Sequence, residues 1–244
     1  WFLVGSSYIY DINKNYEIPL ITLCNPDRTE LASISNISEL HIRPRFNAVS
    51  EVTFDVCGIY FDSINSEIKQ LPFYELISKN RLLNIQGFGY FVIVQVTETN
   101  EGITPIKSVT AYSYEYTLNS KGANIINGTY KFYDQVKPQN TLLQKLIEIA
   151  PSWKIGTVSS SLCNKYRTFE IPTNSLYSFL MDDVEKAYEC IFDFDIENKL
   201  INAYTSEDIV KDTDISLSFH NLIKNVKIEE TSKDIITCLS VLCS

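Results

Sequence analysis

Residues 166–195, YRTFEIPTNSLYSFLMDDVEKAYECIFDFD, decide the fold class, because they join a strand, a capped amphipathic helix and a second strand without a flexible break. Pro172 ends the first strand, and Thr173 or Asn174 is placed to cap the helix. Leu176, Leu180, Val184, Ala187 and Tyr188 then recur at helical spacing, which predicts one apolar stripe facing a core. From Ile191 the period changes to two. Phe192, Phe194 and Ile196 share one face of a predicted strand and Asp193, Asp195 and Glu197 the other, before Glu197-Asn198-Lys199 turns the chain back into a strand over residues 200–204.

Working outward, residues 141–150 predict a second helix, capped by Asn140, stopped by Pro151 and buried through Leu142, Leu143, Leu146 and Ile147. With strands around Tyr130, Arg167, Phe192 and Ile201, residues 117–206 read as an α+β unit. Residues 1–116 read as mostly strands, at 20–24, 39–42, 49–56, 81–86, 90–99 and 103–113. Asn25-Pro26-Asp27, Gly87-Phe88-Gly89 and Asn100-Glu101-Gly102 supply turns, the last two close enough for hairpins. A barrel or sandwich would close these strands, with a short helix at 72–79 over one end, built on Phe73, Leu76 and Ile77. From residue 207 strands return, at 216–220, 226–230 and 234–242. Such a tail is marginal alone and needs a partner sheet. The expected class is therefore β-rich α+β: a barrel-like β-domain at 1–116, an inserted α+β domain at 117–206, and the start of a second β-domain at 207–244.

A hydrophobic content of 45% over 244 residues supplies compact cores and argues against disorder. With 21 basic and 30 acidic side chains the formal charge is −9, which disfavours adhesion to nucleic acid or anionic lipid. No run of about 18 apolar residues predicts a membrane span, and no charged leader with a cleavage site is expected. The six cysteines, Cys24, Cys57, Cys163, Cys190, Cys238 and Cys243, form no C-x-x-C pair and read as small buried thiols in a reducing compartment. Cys238 and Cys243 are the first pair to check for a disulfide.

The sequence assigns no catalytic, cofactor-binding or metal residue. It has no G-x-S-x-G elbow and no H-E-x-x-H, and its two histidines, His41 and His220, read as structural or surface groups. The densest acidic patch, Asp182, Asp183, Glu185, Asp193, Asp195 and Glu197, is the place to look for a carboxylate pair, since glycoside hydrolysis needs only two acids across a cleft. Alternation and the helical stripe place these acids on solvated faces instead. As a calcium loop the run from Asp193 fails, with Asn198 at the sharp-turn glycine and Tyr204 at the closing glutamate. Asn36 and Asn127 match the glycosylation pattern, but Asn127-Gly128 reads as a turn. Gly87-Phe88-Gly89 lacks the third glycine of a nucleotide fingerprint. Fifteen Tyr and thirteen Phe are read as core and cross-strand packing rather than as partner contacts.

Four segments carry a family resemblance: SISNISELHIRPRFNAVSEVTFDV at 33–56, GFGYFVIVQVTE with KSVTAYSYEYTL at 87–118, GTYKFYD at 128–134, and PSWKIGTVSSSLCNKYRTFEIPTNSLYSFLMDDVEKAYECIFDFD at 151–195. In these the chain resembles the N-terminal hub region of tail-associated proteins of phages and prophages of Gram-positive bacteria, often labelled prophage tail endopeptidase or minor structural protein. The resemblance implies a trimeric hub at the tip of the tail, in which two barrel-like domains per subunit alternate around the axis and an inserted α+β domain lies outside the ring. It further implies a homotrimer that meets the distal tail protein and the tail tube and tape-measure proteins. DNA would pass through without specific binding, and no cofactor is implied. The second barrel would begin near residue 207 and be cut short at Ser244, and any hydrolase or receptor-binding module would lie beyond. Two other readings remain: a cell-wall-degrading or peptidase tail enzyme using the acidic patch or a further module, and a carbohydrate- or receptor-binding module using exposed Tyr and Trp153.

Overall fold

The computed structural model of the chain describes residues 18–102 and 104–209. The strands expected at 216–220, 226–230 and 234–242, with His220, Cys238 and Cys243, lie outside the described residues. The described chain belongs to one compact unit.

The first half is strand-rich because its sequence alternates. Its strands are β1 (Ile21–Cys24), β2 (Glu30–Ser33), β3 (Ile37–Arg43), β4 (Glu51–Cys57), β5 (Ile59–Asp62), β6 (Glu67–Gln70), β7 (Leu82–Ile85), β8 (Gly89–Glu101) and β9 (Thr104–Ser113). In β4, EVTFDVC, Val52, Phe54 and Val56 are buried while the residues between them are partly exposed, the mark of a sheet with one face on a core. Seven strands pair antiparallel in the order β2-β1-β7-β8-β9-β4-β3. Among the described residues the sheet is open, with β2 and β3 at its edges, so the strands expected to close into a barrel do not do so there. Irregular registers bend it, between Ile93 and Gln95 in β8 and between Ser38 and His41 in β3, where Glu39 takes φ 51°. The two expected hairpins are present: Gly87 and Gly89, at φ 83° and 81°, join β7 to β8, and Gly102, at φ 67°, joins β8 to β9. Strands β2, β5 and β6 escaped the sequence reading because each is four residues long and polar or exposed.

The buried face of the sheet is covered by the segment between β6 and β7. The helix expected at 72–79 shrinks to one 3-10 turn, Tyr74–Leu76, since Ile77 is already extended. A tertiary contact takes over the carbonyls that a longer helix would use: buried Lys107 donates to Tyr74 O at 2.8 Å and Ile77 O at 3.4 Å, with its ammonium 4.3 Å from the Tyr74 ring centroid. Gly58 makes room for that ring, because a Cβ at this position would stand 2.8 Å from Tyr74 Cε2.

A second core lies under the other half, from Leu118 to Ala203. After a 3-10 segment at Tyr114–Ser120 come β10 (Gly128–Lys131), α1 (Leu142–Ile149), β11 (Lys154–Val158), α2 (Ser160–Cys163) and β12 (Tyr166–Phe169). Helix α1 buries Leu142, Leu143 and Leu146 as expected, but Thr141 rather than Asn140 is the cap. The Thr141 hydroxyl accepts from Gln144 N, while Asn140 sits at φ 68°. The second helix is capped by Ser175, not by Thr173 or Asn174, and runs through α3 (Leu176–Ser178), a π-helical stretch (Phe179–Val184) and α4 (Glu185–Tyr188). Its apolar residues Leu176, Leu180, Val184 and Tyr188 stand four apart, a repeat that drifts around a helix of about 3.6 residues per turn. The widened π turns counter the drift, so all four are buried together with Phe179. Glu189, at φ 56°, ends the helix and leads into β13 (Ile191–Asp195) and β14 (Leu200–Tyr204). These two strands form an antiparallel hairpin, and β11 joins β14 in parallel. A last turn of helix, α5 (Ser206–Ile209), ends the described chain.

Among the four cysteines described, all are free. Cys24 and Cys190 are buried, and Cys57 and Cys163 are partly so. No described helix is long and apolar enough to cross a membrane.

Candidate functional site

The open sheet and the α+β half meet along a seam fastened at several points. Arg28, in the β1–β2 turn, donates to the carbonyls of Ile196 and Glu197 at the tip of the β13–β14 hairpin, and its guanidinium lies 4.2 Å from the Tyr90 ring centroid. Asn47, in the β3–β4 loop, donates to Glu185 Oε1 at 2.6 Å. Ser113, at the end of β9, accepts from Ser50 N at 2.8 Å and donates to Glu115 Oε1.

These fastenings border a cleft of about 580 Å³. Its walls come from the β3–β4 loop, the Gly87–Gly89 turn, Tyr177 and Met181 on the second helix, and the β13–β14 hairpin, with Glu115 from the start of the 3-10 segment. Glu115 is 6% exposed, and its Oε2 has no hydrogen-bond partner among the described residues. Burial pushes its carboxyl above its ordinary value, the Ser113 hydroxyl opposes that shift, and Asp193 adds to it. Asn47 Oδ1, in the facing loop, is likewise buried and unpaired.

The acidic patch expected on solvated faces divides. Asp182, Asp183 and Glu197 are exposed, and Glu185 is half-buried beside Asn47. Asp193 departs from the expectation. It is half-buried in the cleft wall, its carboxyl raised by burial and by Asp195, and it accepts from Asn202 Nδ2 at 3.1 Å. Asn202 also accepts from Thr157 N at 2.8 Å, and it occupies the space that a Cβ on Gly156 would fill. Asp195 moves the other way, because the Asn198 side chain and backbone donate to it across the hairpin turn. Burial pushes Tyr177 up to about 12. Among the described residues no three His, Cys, Asp or Glu converge as metal ligands.

His41 is exposed on the edge strand β3. Trp153, offered as an exposed binding residue, is instead 1% exposed, stacked within the second core at 5.8 Å from Tyr114 and 5.7 Å from Phe194 between ring centroids. A tryptophan just after a helix-stopping proline closes the α1 end of that core. Glu115 went unremarked in the sequence; its one signal was a lone acid inside the aromatic run AYSYEYTL at 111–118.

No protein-family model matches the chain, and no curated protein does. Solved structures do match. The prophage tail protein gp18 from Listeria monocytogenes EGD-e superposes with a TM-score of 0.56 at 15% identity, over 80% of this chain and 53% of that one. The 43 kDa tail protein of prophage MuSo2 from Shewanella oneidensis gives a TM-score of 0.53 at 11% identity, over 78% of this chain and 56% of that one. The fold is that of prophage tail proteins. This chain spans about half the length of the tail proteins it resembles.

Proposed function

We propose that the chain is a structural component of a phage or prophage tail, working at the tail tip as a homotrimeric hub rather than as an enzyme. In this reading residues 1–116 form the first hub domain, 117–206 an inserted domain outside the ring, and 207–244 the start of the second hub domain. The hub closes or extends the tail tube, contacts the distal tail, tube and tape-measure proteins, and joins them to distal fibre or lysin modules. The observation that carries the reading is the likeness to the Listeria prophage tail protein across 80% of the chain.

Three further features support assembly. Among the described residues, the edges β2 and β3 of the open sheet offer unpaired backbone to a neighbour. The β5–β6 hairpin presents Phe61, Ile64 and Ile68 at 65%, 91% and 58% exposure, apolar surface that a subunit interface would remove from water. A formal charge of −9 suits a wall past which DNA slides without adhering.

Light scattering and electron microscopy of the protein carried to its natural end test this reading. A threefold particle with an open channel is expected. A compact monomer that cleaves cell wall would replace the hub with a tail enzyme.

A further inference from the structure

We propose that the cleft over Glu115 is a binding site for an organic cation, a primary ammonium or guanidinium group of the kind that ends a lysine or arginine side chain. The site stands on its own geometry and does not depend on the hub reading. Glu115 is buried to more than nine-tenths in the cleft wall, with one carboxyl oxygen held by Ser113 and the other unpaired. Leaving a buried acceptor unpaired costs free energy that a donor entering the cleft would recover. Asn47 Oδ1 in the facing loop is a second unpaired acceptor.

The cleft is also electrostatically lopsided. Among the described residues, Glu115, Asp193, Asp195 and Glu197 line it against Arg45, whose guanidinium lies 3.4 Å from Glu51, while Arg28 acts on Asp195 from the hairpin tip. Unpaired acceptors, in a wall where carboxylates outnumber the guanidinium, favour a cationic donor over an anion. Aromatic rings on the same walls, among them Phe88, Tyr177 and Phe194, suit a cation with a flat or alkyl body. A metal ion is the poorer fit, because no three ligating side chains converge among the described residues.

Binding should depend on pH in one direction. The groups that bear on Glu115 are Asp193 on β13, Tyr177 on α3 with Glu185 and Asp182 beyond it, and Arg45 in the β3–β4 loop. Burial favours the neutral carboxyl in the empty cleft. A bound cation favours the carboxylate, so it lowers the Glu115 midpoint, and affinity falls as the solution is acidified through that midpoint.

The test is an NMR titration of the 244-residue chain with agmatine, with cadaverine and with a capped Gly-Arg-Gly peptide, using valeramide as the uncharged control. Saturable shifts at Ser113–Tyr116 and Asn47 are expected from the cations and not from valeramide. Glu115→Gln should keep the fold and weaken binding about tenfold or more. Asp193→Asn should weaken it less, and Glu67→Gln, on exposed β6, should leave it unchanged. Binding of the peptide but not the free amines would assign the cation to a protein partner; the reverse would assign a small amine. Absence of saturable shifts from every cation, or equal affinity in folded Glu115→Gln, would overturn the proposal.

Discussion

Two buried ionisable side chains sit in different parts of the molecule, and only one has its hydrogen bonding completed. Lys107, beneath the open sheet, is 5% exposed and spends its ammonium on two carbonyls and the Tyr74 ring. Glu115, at the seam, is 6% exposed and has one oxygen unpaired. A buried charge with its partners in place holds neighbouring segments in register. One with a vacant valence costs stability, and such a cost persists most readily where something outside the chain can use it.

The contrast sets the sign of the mutations. Lys107→Met should be the most damaging, about 3 kcal/mol by urea denaturation, since it strands the Ile77 carbonyl under the sheet and leaves the Tyr74 carbonyl only the Ile77 N–H. A neutral result would mean that water replaces the ammonium and that the two sites do not differ. Gly58→Ala tests the same region through packing alone. Its Cβ would meet the Tyr74 ring, and a loss of about 2 kcal/mol is expected.

Glu115→Gln should act oppositely, stabilising the protein by about 1 kcal/mol at neutral pH. Because the folded carboxyl titrates above its ordinary value of 4.5, the wild type is at its best relative to this variant below that value. It falls behind as pH rises from there through the raised folded value. Urea midpoints of both proteins at acid and neutral pH check this, and a gap that narrows with rising pH would contradict it. The smallest effect belongs to Asn47→Ala, a loss of about 0.5 kcal/mol in the same assay, because removing its bond to Glu185 is partly offset by removing its unpaired oxygen.

The sequence made the sheet half legible wherever strands alternate and glycines mark turns, as in β4, the β7–β8 hairpin and the β8–β9 hairpin. It did not show that the sheet stays open, because closure depends on whether β2 and β3 meet, and neither strand's pattern encodes its partner. The helix over 176–188 was legible from its four-residue repeat. Its cap was misplaced by one or two positions because Thr173, Asn174 and Ser175 are all competent caps, and the Asn119 side chain, which accepts from the Ser175 hydroxyl, is remote in sequence. The cleft was the least legible part. Alternation placed Asp193 on a polar face, which is correct locally, but Glu115, Asn47 and Tyr177 arrive there from elements far apart in the chain and turn that face into an interior wall.

We propose that this chain is built into a phage tail. Gold-labelled antibody raised against residues 18–209, applied to intact particles and imaged by electron microscopy, tests it most directly. Label at the end of the tail is expected, on particles that keep it through purification. Particles without label, with the protein recovered only in a soluble fraction that degrades cell wall, would contradict it.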